Sequence, residues 1–170
     1  PNINGFKLEA GLYDAGDWGA GVHYDNKIGA FKVRGRAFYE SLTNSSTSEG
    51  AWQVGGSVKH DSGISLTGVY GQSLAVEGAE DDARWAATVG YTANLNALGP
   101  TGIGVNVSGS QDRTVVGSEA IAVGLGFNQQ IKGAGTNIYG NVAFWDVDLP
   151  SSQTQLDQVV TMLVGMQVKF

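Results

Sequence analysis

The feature that most limits what this chain can fold into is a two-residue period. In ten segments, apolar side chains alternate with polar residues or glycine: 6–13, 18–25, 31–40, 51–59, 64–71, 84–93, 103–110, 119–128, 136–145 and 159–170. Two is the side-chain period of a β-strand, and no i, i+3, i+4 stripe of comparable length competes with it. The period predicts an all-β chain. Its connectors broadly alternate between tight ones, such as "DNKIG" and "HDSG", and long polar ones, "SLTNSSTSEG", "QSLAVEGAEDDA" and "DVDLPSSQTQLDQ". An antiparallel up-and-down meander with one short-turn end and one long-loop end has that spacing. "NLNALGPTG" reads as the exception, a longish connector at the short-turn end.

Two architectures share this pattern. In a soluble sandwich or barrel the apolar face is the core; in a membrane barrel it meets lipid, and the polar face lines the interior. No run approaches the roughly eighteen apolar residues of a membrane-spanning helix, so a helical membrane protein is excluded. The formal charge of −6 argues against a general nucleic-acid binder, and the absence of cysteine fits several compartments.

The position of the aromatics separates the two readings. Trp18, Tyr39, Trp52, Tyr70 and Trp85 fall at the long-loop ends of their segments, in the apolar phase, whereas Phe6, Tyr24, Phe31, Tyr91, Phe127 and Phe170 fall at the short-turn ends in the same phase. Mid-segment positions of that face are mostly aliphatic, Ala or Gly. Phe31 and Tyr39 are eight residues apart, roughly 26 Å along a strand and about 19 Å along the membrane normal at a 45° tilt, slightly short of the ~25 Å apolar band of outer-membrane barrels. Tyr and Trp favour the membrane boundary because the ring is apolar and its polar group stays wet. A soluble core does not predict aromatics sorted to both ends.

The opposite phase then lines the interior. Lys32, Arg34 and Arg36 of "FKVRGRAF" form a basic row spaced by about 6.6 Å on one strand face. Lys7, Glu9, His23, Asp25, Glu40 and Lys59 share the phase. Such a wall suits passage of water-soluble solutes better than tight binding of one ligand. The basic row either guides anions along the wall or is paired with carboxylates such as Glu9, Asp25 or Glu40.

The chain ends "VTMLVGMQVKF", with Val160, Met162, Val164, Met166, Val168 and Phe170 in one phase. This resembles the C-terminal assembly signal of bacterial outer-membrane β-barrels, with Val164, Met166, Val168 and Phe170 as the part read by the insertion machinery. "PNINGFKLEAGLYD" resembles the strand that follows the constriction loop in Gram-negative trimeric general porins, where a Gly-Phe pair opens the strand. The resemblance covers essentially the whole chain. It implies a transmembrane β-barrel of the bacterial outer membrane, the ten segments corresponding to the C-terminal ten of sixteen strands. It further implies a homotrimer in contact with lipid and lipopolysaccharide, passive diffusion of ions and small hydrophilic solutes, no cofactor, and a basic ladder facing acidic residues of the constriction loop. The constriction loop and about six strands are absent from the ten segments. A portion of a longer porin is therefore expected over a small closed barrel acting as a structural or adhesive anchor. The long-loop ends of the last strands, including Gly109, Ile121 and Val160, lack the Trp/Tyr ring, and subunit contact in place of lipid headgroups would explain the gap.

Catalytic and metal-binding readings are weaker. Outer-membrane phospholipases and omptin-like proteases share this architecture, and His23 with Asp25 is on one face. No nucleophile lies in phase beside them, so no catalytic residues are assigned, and His60 is read as part of the turn "KHDSG". Glu77, Glu80, Asp81 and Asp82 of "EGAEDDAR" cluster oxygen ligands without the spacing or glycine of an EF-hand, and read as a solvated loop rather than a metal site.

Overall fold

The computed structural model describes residues 3–13, 16–43, 45–77, 79–113, 115–154 and 156–168. Ten strands follow one another: β1 (Phe6–Leu12), β2 (Trp18–Ile28), β3 (Phe31–Ser41), β4 (Ser48–His60), β5 (Ile64–Ala75), β6 (Asp82–Asn96), β7 (Gly99–Gln111), β8 (Glu119–Ile131), β9 (Thr136–Asp148) and β10 (Val159–Val168). They form one sheet in sequence order, and every neighbouring pair is antiparallel. Between β8 and β9 lies a 3-10 turn at Lys132–Ala134. Among those residues β1 and β10 each have a single neighbour, so the sheet is open.

The sheet has no core in the soluble sense. Among the described apolar residues only Ala122 and Ala143 are buried, and Leu8, Val89, Leu125, Met162 and Val164 are all more than half exposed. The accessible surface is 11232 Å², against about 8,000 Å² for a compact soluble monomer of 17.7 kDa. A face this broad and apolar calls for a medium other than water.

The strands are longer than their alternating segments. Backbone pairing continues past the apolar band because each N–H and C=O still requires a partner whatever side chain it carries. The connector read in "NLNALGPTG" shrinks to Ala97 and Leu98, since Asn96 pairs with Gly99 after a bulge. There the Leu98 N–H donates to Asn96 Oδ1 at 3.0 Å, fixing the turn. "DNKIG" likewise shrinks to Gly29 and Ala30, with Gly29 at φ 58, in the left-handed region that favours glycine. His60, read as a turn residue, is the last residue of β4 and stacks on Phe31 with ring centroids 4.9 Å apart.

Register places the aromatics in rows on the apolar face. At the long-loop end Tyr39 is directly opposite Trp52, and Tyr70 opposite Trp85. Ring contacts of 5.3 Å for Trp18–Tyr39 and 5.4 Å for Trp52–Tyr70 join these pairs into one band across β2–β6. At the other end Phe6 lies 4.7 Å from Tyr24, and Tyr91 and Phe127 are both in register with Ile103. The terminal Phe170, assigned to this end, and Lys169 lie outside the described residues.

Candidate functional site

The polar face of β1–β4 concentrates the charge. Alternation puts Lys7 and Glu9 on β1, His23, Asp25 and Lys27 on β2, Lys32, Arg34, Arg36 and Glu40 on β3, and Lys59 on β4, all on one side. Register then decides which of them meet. His23 is opposite Arg36, and Asp25 is opposite Arg34. Glu9 Oε1 accepts from Arg36 Nη2 at 3.0 Å and lies 2.8 Å from His23 Nε2. Asp25 Oδ2 accepts from Arg34 Nε at 3.0 Å, while its Oδ1 is 3.7 Å from Lys32 Nζ.

The basic row predicted on β3 is thus interleaved with two carboxylates from β1 and β2. All of these groups are partly exposed, so each pair contributes little to stability. Their consequence is electrostatic: a wall of alternating sign. Arg36 also lies over the Phe38 ring at 5.2 Å. Phe38 is on the polar face, where Gly19 and Gly21 leave room for its ring. Together the groups border a shallow concavity lined by Lys7, Glu9, His23, Asp25, Arg34 and Arg36.

The sheet therefore has one face of aliphatic side chains between aromatic bands and one charged face, in an up-and-down order. The Gram-negative porin family matches residues 1–148. The chain belongs to that family. Membership places this porin in the outer membrane, and the ten up-and-down strands are consistent with a β-barrel. No curated protein matches the chain.

Several residues of the porin's polar face escape a reading from apolar alternation. Lys27 sits in what reads as a turn, yet β2 runs on to Ile28 and carries Lys27 onto the polar face. Phe38, Tyr139, Trp145 and Leu163 also occupy that face, because alternation fixes the phase of a side chain and not its polarity. Trp145 Nε1 donates to Thr161 Oγ1 at 3.0 Å. Tyr139 lies over Gly165, where an added Cβ would meet the ring. The gap in the aromatic band at Gly109 has a local cause: the Trp85 ring covers it, within 2.9 Å of where a Cβ would stand.

The long loops hold their own contacts. Asp17 accepts from both the N–H and the Oγ1 of Thr43, at 2.6 and 2.5 Å, and these two bonds, the side-chain one first, lower its pKa. In the acidic loop, Asp81 Oδ1 accepts from the Ala75 N–H at 2.7 Å and Asp82 Oδ1 from the Ser73 N–H at 3.4 Å. Those carboxylates close the loop, and among the described residues no three acidic or imidazole groups converge as a metal site would require. His60 Nδ1 accepts from the Ser62 N–H at 3.1 Å and lies 2.8 Å from Ser62 Oγ, an arrangement that closes the β4–β5 turn.

Proposed function

We propose that this porin forms a water-filled passage through the outer membrane for passive diffusion of ions and small hydrophilic solutes, with the polar face of β1–β10 as part of its wall. The carrying observation is that the Arg36–Glu9–His23 and Lys32–Asp25–Arg34 clusters are on the reverse of the strands whose apolar face bears aliphatic residues between aromatic bands. Charged side chains at that depth need water, and a channel supplies it.

An open sheet edge is not tolerated in lipid. The barrel is therefore completed by strands beyond these ten, in line with a sixteen-stranded general porin. On this reading Lys32, Arg34 and Arg36 lie along the permeation path beside Lys7, Glu9, His23, Asp25, Glu40 and Lys59. The two aromatic bands contact lipid and lipopolysaccharide at the membrane boundaries, and Val164, Met166, Val168 and Phe170 present the last strand to the insertion machinery. The porin assembles as a homotrimer through the end of the sheet that bears Ile121 and Val160.

Planar-bilayer recording of the intact porin tests the passage. Stable ohmic steps support it, whereas a membrane-inserted barrel without conductance would make the protein an anchor. Light scattering in mild detergent tests the assembly: a trimer mass is expected, and a monomer counts against it.

A further inference from the structure

One row of the polar face is only partly offset by carboxylates. Lys27 is directly opposite Lys32, and Lys32 directly opposite Lys59, so three lysines cross β2, β3 and β4 side by side at the short-turn end. Strands are about 4.8 Å apart, and the row spans about 10 Å. Like charges directly opposite one another destabilise a sheet, and at this spacing, inside the ~8 Å Debye length for neighbours, their fields reinforce.

The offset from carboxylates is partial. Lys27 Nζ donates to both Oδ1 and Oδ2 of Asp61 at 3.0 Å. Lys32 Nζ is 3.7 Å from Asp25, an acid that Arg34 already engages at 3.0 Å. Lys59 has no carboxylate partner among the described residues. The same register row continues through Ser65, Gly90, Gly104 and Gly126, so the floor beside the lysines carries one hydroxyl and then three positions without side chains. Space and positive charge coincide.

We propose that Lys27, Lys32 and Lys59 form a binding site for a multivalent oxyanion, a solute carrying two or more phosphate or carboxylate groups, at the short-turn mouth. Three compact ammonium groups on flexible stems can follow a chain of anionic centres, whereas the planar Arg fork favours one bidentate group. A monovalent anion would engage one lysine and leave the others opposed. A multivalent one spans Lys32 and Lys59 and draws on the field of Lys27 beside them. The site rests on the polar face being a hydrated wall, and it names what that wall holds.

The test uses the full-length porin in detergent, titrated calorimetrically with sodium tripolyphosphate and with orthophosphate at low salt, alongside tripolyphosphate block of current in planar bilayers. Tripolyphosphate is expected to bind more tightly than orthophosphate, and binding should weaken steeply in 1 M KCl. Lys32→Gln and Lys59→Gln, each removing one charge-assisted contact, should weaken binding by about tenfold. Lys132→Gln, on the β8–β9 turn, should leave binding unchanged. Circular dichroism and heat-modifiable migration on gels confirm that each variant is folded. Equal affinity for the two phosphates, or folded Lys32→Gln and Lys59→Gln proteins that bind like the parent, would overturn the site. Calorimetry does not require conductance, so binding without current steps would sink the passage and keep the site, and current steps without binding would do the reverse.

Discussion

At the level of Asp25 and Arg34 one register row runs through Ser57, Thr67 and Thr88 to Asn106, Gly124, Ala143 and Thr161. An ion pair occupies its start; hydroxyls, an amide and two small residues occupy the rest. One row further toward the long loops, His23 and Arg36 begin a series that ends in Ala122, Trp145 and Val159. The wall on β1–β4 is thus open and charged, while on β8–β10 Tyr139 and Trp145 lie against small residues and Ala122 and Ala143 are buried. Both regions obey the same alternation. Period assigns a face, and only register decides whether the groups on that face compensate one another.

The two faces differ most in what an added charge should cost. Val54→Arg on β4 and Val105→Arg on β7, both mid-strand on the apolar face, should each destabilise the refolded porin in vesicles by about 2–4 kcal/mol. Asn106→Arg, one residue from Val105 on the polar face, should change stability little. Urea titration of folded fraction gives all three values. A costly Asn106→Arg with a tolerated Val105→Arg would invert the assignment of faces.

Between regions of the polar face the contrast is in selectivity. Replacing Arg34 and Arg36 with Ser leaves Asp25 and Glu9 without their guanidinium partners, so the zero-current potential in a salt gradient should move toward cation selectivity. Asn106→Ser with Ser108→Ala, on the neutral wall, should leave it in place. A potential that stays put in the double Arg variant, with conductance also unchanged, would take the basic row off the permeation path.

At the long-loop end of the apolar face the aromatic band is confined to β2–β6, with ring contacts at Trp18–Tyr39 and Trp52–Tyr70. Trp52→Ala, which loses the 5.4 Å contact with Tyr70, should cost about 1 kcal/mol more than Phe144→Ala, whose register partners are Val123 and Val160. Equal losses would mean that the band acts by area alone.

The smallest effect concerns the loops. Because hydrogen bonds from Thr43 lower the Asp17 pKa, the folded state binds its proton less readily than the unfolded one. The contribution to stability is complete above the ordinary carboxylate range and disappears as pH falls through the lowered value. Thr43→Ala removes the hydroxyl bond and keeps the backbone one, so it should reduce that acid-side dependence, seen as thermal unfolding midpoints that converge with the parent's at low pH and differ at neutral pH.

Strand number, order and faces were legible because alternation survives in every segment and the turns carry Gly, Asn and Asp. Lys32, Arg34 and Arg36 were visible as a row because they lie on one strand. Their pairing with Glu9 and Asp25 stood as one of two alternatives, because the choice depends on the stagger of β1, β2 and β3. The lysine row across β2–β4 was hidden for the same reason, and because Lys27 follows an Asp-Asn pair that reads as a turn. Trp145 and Tyr139 were passed over because an aromatic in the polar phase interrupts the pattern, and its fit rests on Thr161 and Gly165 of the next strand.

The central claim, that the polar face of this sheet borders a water-filled passage and the apolar face does not, is open to a direct measurement because the chain has no cysteine. Ser57→Cys and Val58→Cys place single thiols on opposite faces of β4, one residue apart. Single-channel current through the intact porin is recorded while a positively charged, membrane-impermeant methanethiosulfonate reagent is added. The account predicts a stepwise change in conductance for Ser57→Cys and none for Val58→Cys. A change for Val58→Cys with Ser57→Cys unaffected would contradict it.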